Sequence, residues 1–207
     1  MIELLTVLSL TAIAAIVPGP DLAIVIRNAV FGGRAAGFMT ALGIGLALVL
    51  HATYAIAGIG LIVSQSILLF NVIKLVGAAY LVFLGITMYR SASVQIPEAP
   101  ENAGMSPYKA FRWGFITNAT NPKATMFALS VFVQVTSSET PLWAQVGYGA
   151  IMSLGVFSWF VLVTFFFTRA PVRAAFYSAK LWIERTFGVL LTLFGIGLAL
   201  STNNSRP

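Results

Sequence analysis

Residues 4–26 of the chain are LLTVLSLTAIAAIVPGPDLAIVI, an apolar run long enough for one helix to cross a bilayer. The run follows the acidic Glu3 and contains Pro18-Gly19-Pro20-Asp21. A cleavable signal peptide has a basic start and would not carry such an interruption. The sequence therefore predicts a retained first membrane span that is broken at the proline motif.

Five further apolar runs of similar length follow along the 207-residue chain. They cover residues 38–63, 67–89, 111–136, 143–168 and 181–200. The chain is 58% hydrophobic and 9% charged, whereas a soluble domain has about 25% charged residues. This composition excludes a soluble globular domain. We predict an all-α integral membrane protein with six transmembrane helices in a single transmembrane domain, residues 1–207.

The basic residues are concentrated between alternate spans. Nine of the twelve Lys and Arg residues fall between predicted spans 1 and 2, 3 and 4, or 5 and 6, or within the first five residues of the span that follows. They are Arg27, Arg34, Arg90, Lys109, Arg112, Arg169, Arg173, Lys180 and Arg185. Basic loops stay in the cytoplasm, so both termini are predicted to be periplasmic. The net charge of +6 then indicates topology rather than nucleic-acid binding.

A polar, proline-containing segment predicts a cytoplasmic loop at about residues 91–110. It separates one three-span half, about residues 1–90, from another, about residues 111–207. Halves with an odd number of spans can be duplicated only as inverted repeats. Pro20 and Pro122 match at an offset of 102 residues, and Gly77 and Gly188 at an offset of 111, so the alignment requires insertions. We predict two inverted three-helix repeats, with chance similarity of apolar helices as the alternative.

Each predicted repeat contains a proline inside its first helix. Pro20 interrupts span 1, and Asn121-Pro122-Lys123 interrupts span 4. Proline removes a backbone hydrogen bond and clashes with the preceding turn, so helices 1 and 4 should both be broken. Broken helices at matching places in two halves indicate a transporter binding site. A packing kink without a ligand is the alternative for either break alone.

The residues after the two prolines carry opposite charges, Asp21 in the first half and Lys123 in the second. A charged side chain costs roughly 2.5 to 3.5 kcal/mol near the centre of a membrane helix, so both should face the bundle interior or one another. A structural ion pair is one interpretation. The other is a site for a zwitterion, in which Asp21 binds an ammonium group and Lys123 with backbone amides binds a carboxylate.

Other residues of the two motifs complete the predicted substrate-binding set, which is Pro18, Gly19, Pro20, Asp21, Asn118, Asn121, Pro122 and Lys123. The two asparagines can contact substrate or cap the freed helix end. Small residues elsewhere, such as Gly33 and Gly37, are typical of close helix packing.

Two further intramembrane polar residues are candidates for coupling transport to an ion, together with Asp21. His51 can relay protons, since imidazole titrates near neutral pH, or it can be a hydrogen-bonded packing residue. Lys74 can face the interior, or its side chain can extend to the membrane surface.

Several classes of chemistry are excluded or disfavoured by the residue inventory. The chain has no Cys and one His, so thiol chemistry is excluded and a metal site or cofactor site is not predicted. No Gly-x-Ser-x-Gly elbow or cluster of carboxylates is present, and an enzyme is therefore not expected. A channel, or a transporter of a metal ion or another small solute, is the alternative function.

The combination of motifs resembles the LysE/RhtB amino-acid exporters. It consists of Pro18-Gly19-Pro20-Asp21, Lys74-x-x-Gly77-x-x-Tyr80-Leu81-x-x-x-Gly85 and Gly114-Phe115-x-Thr117-Asn118-x-x-Asn121-Pro122-Lys123. The resemblance covers nearly the whole chain and is strongest to the threonine and homoserine branch. It implies a multi-pass exporter of the bacterial inner membrane that moves neutral amino acids in exchange for protons, with a homodimer as a possible assembly.

Overall fold

The computed structural model describes residues 2–65, 67–90, 105–137 and 139–200, without the side chains of residues 59–65, 67–70, 170, 173 and 177. All regular elements within these ranges are α-helices. They are α1 (Ile2–Ile16), α2 (Pro20–Gln65), α3 (Ile67–Tyr89), α4 (Pro107–Ala119), α5 (Pro122–Val135), α6 (Leu142–Phe167) and α7 (Ala170–Leu200). The all-α prediction is confirmed, while most of the predicted loop at 91–110 lies outside the described residues.

The chain is not helical at either proline motif. Helix α1 ends at Ile16 and α2 begins at Pro20, and α4 ends at Ala119 before α5 begins at Pro122. Proline is favourable at the first position of a helix, where its missing N–H needs no partner. Each motif therefore ends one helix and starts the next, as the sequence predicts.

Helix α2 is interrupted by a sharp bend at Gly33, whose φ of 73° and ψ of −175° are not helical. Asn28 Nδ2 donates a hydrogen bond of 2.9 Å to Thr40 Oγ1 across this bend. In a straight helix these residues would be about 18 Å apart. The chain therefore reverses at Gly33, and α2 is a helical hairpin with a first limb (residues 20–32) and a second limb (residues 34–65).

This hairpin stands in place of the loop at residues 27–37 that the predicted bounds of spans 1 and 2 leave between them. A single glycine makes the reversal because the combination of positive φ and extended ψ is accessible essentially to glycine alone. Helix α7 also begins earlier than expected, at Ala170 instead of residue 181. Its first turns contain Pro171, and the buried ion pair of Lys180 and Glu184, at 3.2 Å, supports the added helix.

Glycines allow two pairs of helices to approach backbone to backbone. A Cβ atom on Gly114 of α4 would collide with the Thr40 carbonyl of the α2 second limb. Gly85 of α3 and Gly188 of α7 lie against each other's carbonyl oxygens in the same way. These contacts fix α2 on α4 and α3 on α7, as small residues do between membrane helices.

Four helical segments of the described residues are long and apolar enough to cross a membrane. They are Pro20–Gly58, Asn71–Tyr89, Leu142–Phe167 and Ser178–Leu200, with Ile2–Ile16 and Pro122–Val135 as shorter apolar helices. Large apolar side chains such as Phe83, Leu154 and Leu193 are exposed. An apolar surface of this extent is unfavourable in water and suits contact with lipid.

Candidate binding site at the two helix breaks

A cavity lies where the two helix breaks meet, with about 560 Å³ of empty space including its open side. Its polar side chains are those of Thr11, Asp21, Asn118 and Lys123. The remaining lining is apolar or backbone, formed by Ala14, Ala15, Val17, Gly19, Pro20, Leu48, Ala124, Phe127, Met152, Val156 and Phe160. Mostly apolar walls with a few polar groups are typical of small-molecule sites.

Asp21 is held by the opposite helix break through one of its two carboxylate oxygens. Asn118 Nδ2 and Asn121 Nδ2 donate to Asp21 Oδ2 at 3.1 and 3.2 Å. The other oxygen, Oδ1, is buried and has no hydrogen-bond partner among the described residues. Asp21 is therefore fixed in position, while one of its two acceptor atoms has no partner among the described residues.

Lys123 enters the cavity from the first turn of α5. Asn121 caps this helix, because its side-chain oxygen accepts a hydrogen bond of 3.0 Å from Lys123 N. A Cβ atom on Gly19 would lie 3.2 Å from Lys123 Nζ, so the ammonium group packs against the break in the first half of the chain. The positive end of α5 adds to the charge of Lys123 at this side of the cavity.

His51 links the second limb of α2 to the same break. Its Nε2 atom is 3.0 Å from the Asn118 carbonyl oxygen, and its Nδ1 atom is 3.4 Å from Thr125 Oγ1. A carbonyl oxygen only accepts hydrogen bonds, so this contact requires a proton on Nε2. Asn118 thus contacts His51 through its backbone and Asp21 through its side chain.

The structure places the predicted residues in three groups. Gly19, Pro20, Asp21, Asn118 and Lys123 line the cavity, while Asn121 and His51 contact lining residues. Pro18 and Pro122 lie at the breaks and are not part of the cavity lining. Lys74 is buried on α3 and is not part of the cavity lining either. Their roles in binding and coupling stay predictions.

Two parts of the lining were not identified from the sequence. Thr11, Ala14 and Ala15 have spacings of three and four residues, which place them on one face of α1, and this pattern can be read from the sequence. Met152, Val156 and Phe160 of α6 form an apolar wall. Their spacing of four also fits any buried helix face, so it does not indicate a site.

The described residues contain no group of three or more His, Cys, Asp and Glu side chains that could hold a metal ion. The polar groups that meet in the cavity are one carboxylate, one ammonium group, one carboxamide and one hydroxyl. Such a set can bind an organic solute that carries both charges.

Comparison with known proteins gives a consistent assignment. The family model of LysE type translocators matches residues 12–202. The threonine efflux protein of Escherichia coli (strain K12) is 31% identical over 201 residues, 95% of this chain and 97% of that protein. The threonine efflux protein of Salmonella typhimurium is 30% identical over 208 residues, 97% of this chain and 99% of that protein.

A second group of relatives is named for a different amino acid. The leucine efflux protein of Salmonella choleraesuis is 32% identical over 128 residues, 61% of this chain and 59% of that protein. No solved structure matches the chain. The long family match decides the assignment, and the chain belongs to the LysE-type translocators, a family of membrane transporters and not of enzymes.

Proposed function

We propose that this chain exports a small neutral amino acid, of the threonine and homoserine class, from the bacterial cytoplasm. The observation that carries the proposal is the free, buried Oδ1 atom of Asp21 in a cavity that also contains Lys123. A buried carboxylate oxygen without a partner is unfavourable, and a substrate ammonium group would satisfy it. The threonine efflux relatives, which match over nearly their whole length, support this substrate class.

The two charges bind opposite ends of the zwitterion in this proposal. Asp21 Oδ1 accepts from the substrate ammonium group, and Asn118 Oδ1, which is also buried and has no partner in the described part of the chain, is a second acceptor. Lys123 and the positive end of α5 bind the carboxylate. Neither free oxygen is bonded to Lys123, which favours a binding site over the structural ion pair that the sequence left open.

Proton antiport supplies the energy. One proton moving inward through ~150 mV yields roughly 3.5 kcal/mol, enough for a gradient of several hundredfold in a net-neutral substrate. Asp21 can hold either a proton or the substrate ammonium group, and this competition would couple the two fluxes. His51 and Lys74 remain further coupling candidates.

The transmembrane arrangement that we propose has six spans in the bacterial inner membrane, with both termini periplasmic. Helix α1 with the first limb of α2 forms span 1, and α4 with α5 forms span 4. The second limb of α2 and helices α3, α6 and α7 form the others. The reciprocal contact of Gly85 and Gly188 supports two inverted halves, since elements next to a two-fold axis meet their own equivalents. Assembly as a homodimer stays a prediction.

Efflux from proteoliposomes tests the proposed function. Vesicles are preloaded with labelled threonine, homoserine, leucine or lysine, and efflux is measured with and without an imposed proton gradient. We expect gradient-stimulated efflux of a neutral amino acid, reduced about tenfold or more in Asp21→Asn because a charge-assisted bond is lost.

The matched control is Glu139→Gln, the same chemical change at an exposed carboxylate between α5 and α6. It should leave efflux unchanged. If folded wild-type protein moves none of the amino acids, the exporter proposal is wrong, and ions or other small solutes become the alternative. Full efflux by Asp21→Asn would remove Asp21 from the site.

A further inference from the structure

The hydroxyl group of Thr11 is a polar feature of the cavity that the charges do not explain. Thr11 lies in the middle of α1, is 4% exposed and lines the cavity. Its Oγ1 atom is buried and has no hydrogen-bond partner among the described residues. An unbonded hydroxyl in such a place is unfavourable, so a partner that is absent from the structure is expected.

Other helical threonines show what Thr11 does not do. Thr40, Thr164 and Thr192 each donate to the carbonyl oxygen four residues earlier in their own helix. This bond satisfies a hydroxyl group within an apolar helix. Thr11, which lines the cavity, makes no such bond within the described residues.

The methyl group of Thr11 explains why the side chain keeps this orientation. A Cβ atom on Gly155 of α6 would lie 3.1 Å from Thr11 Cγ2, so the methyl group packs closely against α6 at the point where that helix has no side chain. A threonine has few χ1 rotamers, and contact of its methyl group with one neighbour restricts its hydroxyl. The hydroxyl position is therefore fixed by packing.

Thr11 and the two charged side chains stand at different places along the chain segments that line the cavity. Thr11 precedes Ile16, the end of α1, by five residues, or about 7.5 Å along the helix axis. Gly19, against which Lys123 packs, and Asp21 both follow that end in the chain. The lining thus combines two charged side chains from the helix breaks with the hydroxyl group of Thr11, whose neighbours in the lining on α1 and α6 are apolar.

We propose that Thr11 is a specificity-determining residue, whose hydroxyl group hydrogen-bonds the side-chain hydroxyl of the substrate. This inference rests on the proposed function and assigns the part of the cavity that recognises the side chain. A hydroxyl-bearing amino acid satisfies Thr11 Oγ1, while an apolar analogue of equal size leaves it buried and unbonded. Sites that hydrogen-bond a substrate hydroxyl reject the analogue lacking it more strongly than purely apolar sites reject a change in size.

Matched substrate pairs and matched variants test the inference. Threonine is compared with valine, and homoserine with norvaline, because each pair exchanges a hydroxyl for a methyl group at nearly constant size. Thr11→Val removes the hydroxyl, and Thr11→Ser keeps it. Thr87→Val is the control, since Thr87 is exposed on α3 and its hydroxyl group donates to Phe83 O of its own helix.

We expect wild type, Thr11→Ser and Thr87→Val to prefer the hydroxylated member of each pair. In Thr11→Val that preference should fall about tenfold or more, through loss of threonine and homoserine efflux with valine and norvaline efflux retained. An unchanged preference in Thr11→Val, or an equal loss for both members of a pair, would overturn the assignment of Thr11.

Binding to the purified protein separates this failure from failure of the proposed function. The shift in unfolding temperature is measured with threonine and with valine in each variant. If wild type binds threonine better than valine but transports neither, the exporter function is wrong. The role of Thr11 is then still tested by whether Thr11→Val binds threonine better than valine. If neither amino acid binds or moves, both proposals are overturned.

Discussion

His51 Nε2 lies 3.0 Å from the carbonyl oxygen of Asn118, although the two residues are 67 positions apart in the sequence. Asn118 is near the end of α4, where the break leaves carbonyl groups without helical partners. Its carbonyl oxygen also accepts a hydrogen bond of 2.9 Å from Asn121 N. His51 therefore stabilises the break that carries the two asparagines bound to Asp21.

Replacement of His51 should reveal whether it positions the break or carries protons. His51→Phe keeps the ring volume but loses the bond to Asn118, at a cost of about 1 kcal/mol in stability. His51→Gln keeps a donor group. If His51 acts by position, both gradient-driven efflux and amino-acid exchange should fall in His51→Phe and recover in His51→Gln.

The two assays distinguish the roles because exchange of labelled for unlabelled amino acid needs no net proton movement. A proton carrier would show a different pattern. Gradient-driven efflux would be lost in both variants, while exchange would persist in both. That result would contradict a positioning role and establish His51 as a coupling residue.

Gly188 should be intolerant of a methyl group. A Cβ atom on Gly188 would lie 2.6 Å from the Gly85 carbonyl oxygen and 2.9 Å from Tyr89 N. These neighbours are backbone atoms and cannot move independently of helix α3. We expect Gly188→Ala to lower the free energy of unfolding by roughly 1–3 kcal/mol, measured by thermal or denaturant unfolding in detergent.

Gly197 provides the control on the same helix, since a Cβ atom there would meet nothing within 4 Å. Alanine has a higher helix propensity than glycine by about 1 kcal/mol, so Gly197→Ala should be neutral or stabilising. Equal stability of the two variants would show that α3 and α7 do not approach as closely as the structure indicates.

The sequence was sufficient to predict the two helix breaks and a position of Asp21 and Lys123 in the interior of the bundle. Proline has a local effect on its own helix, and this effect depends little on the rest of the fold. The matching positions of Asp21 and Lys123 added a reason for the two breaks to lie together. Both residues do line one cavity, on opposite halves of the chain.

The sequence was not sufficient where one pattern fits two structures. Gly33 and Gly37 together fit a stripe of small residues for helix packing. Gly37 does pack closely against Ala29, but Gly33 makes the bend of α2. Thr11 and Thr6 also look alike in an apolar helix, yet Thr6 bonds the Ile2 carbonyl oxygen and Thr11 bonds nothing within the described residues. Such differences arise from tertiary contacts.

The bend at Gly33 predicts an unusual pattern of substitutions. Its φ of 73° and ψ of −175° lie outside the left-handed helical region that asparagine tolerates. Gly33→Asn should therefore be no better than Gly33→Ala, and each should lower the free energy of unfolding by about 1–3 kcal/mol. If Gly33→Asn is as stable as wild type in the same unfolding measurement, the backbone at residue 33 has φ and ψ angles other than those described.

Gly19→Ala should weaken substrate binding without weakening the fold. The new Cβ atom would lie 3.2 Å from Lys123 Nζ, the far end of a flexible side chain that can move aside. Stability should change by less than about 0.5 kcal/mol, as at sites where only a side-chain end must shift. The displaced ammonium group would bind the substrate carboxylate less well, and the KM for threonine efflux should rise by up to about tenfold.

The physical reason can be checked with a ligand that has no carboxylate. Threoninol carries the ammonium and hydroxyl groups of threonine but a neutral alcohol in place of the carboxylate. Its binding should be almost unaffected by Gly19→Ala, and Gly147→Ala, where a Cβ atom meets nothing within 4 Å, should affect neither ligand. If Gly19→Ala weakens threonine and threoninol equally, the effect comes from the shape of the break, and Lys123 is not the group that binds the carboxylate.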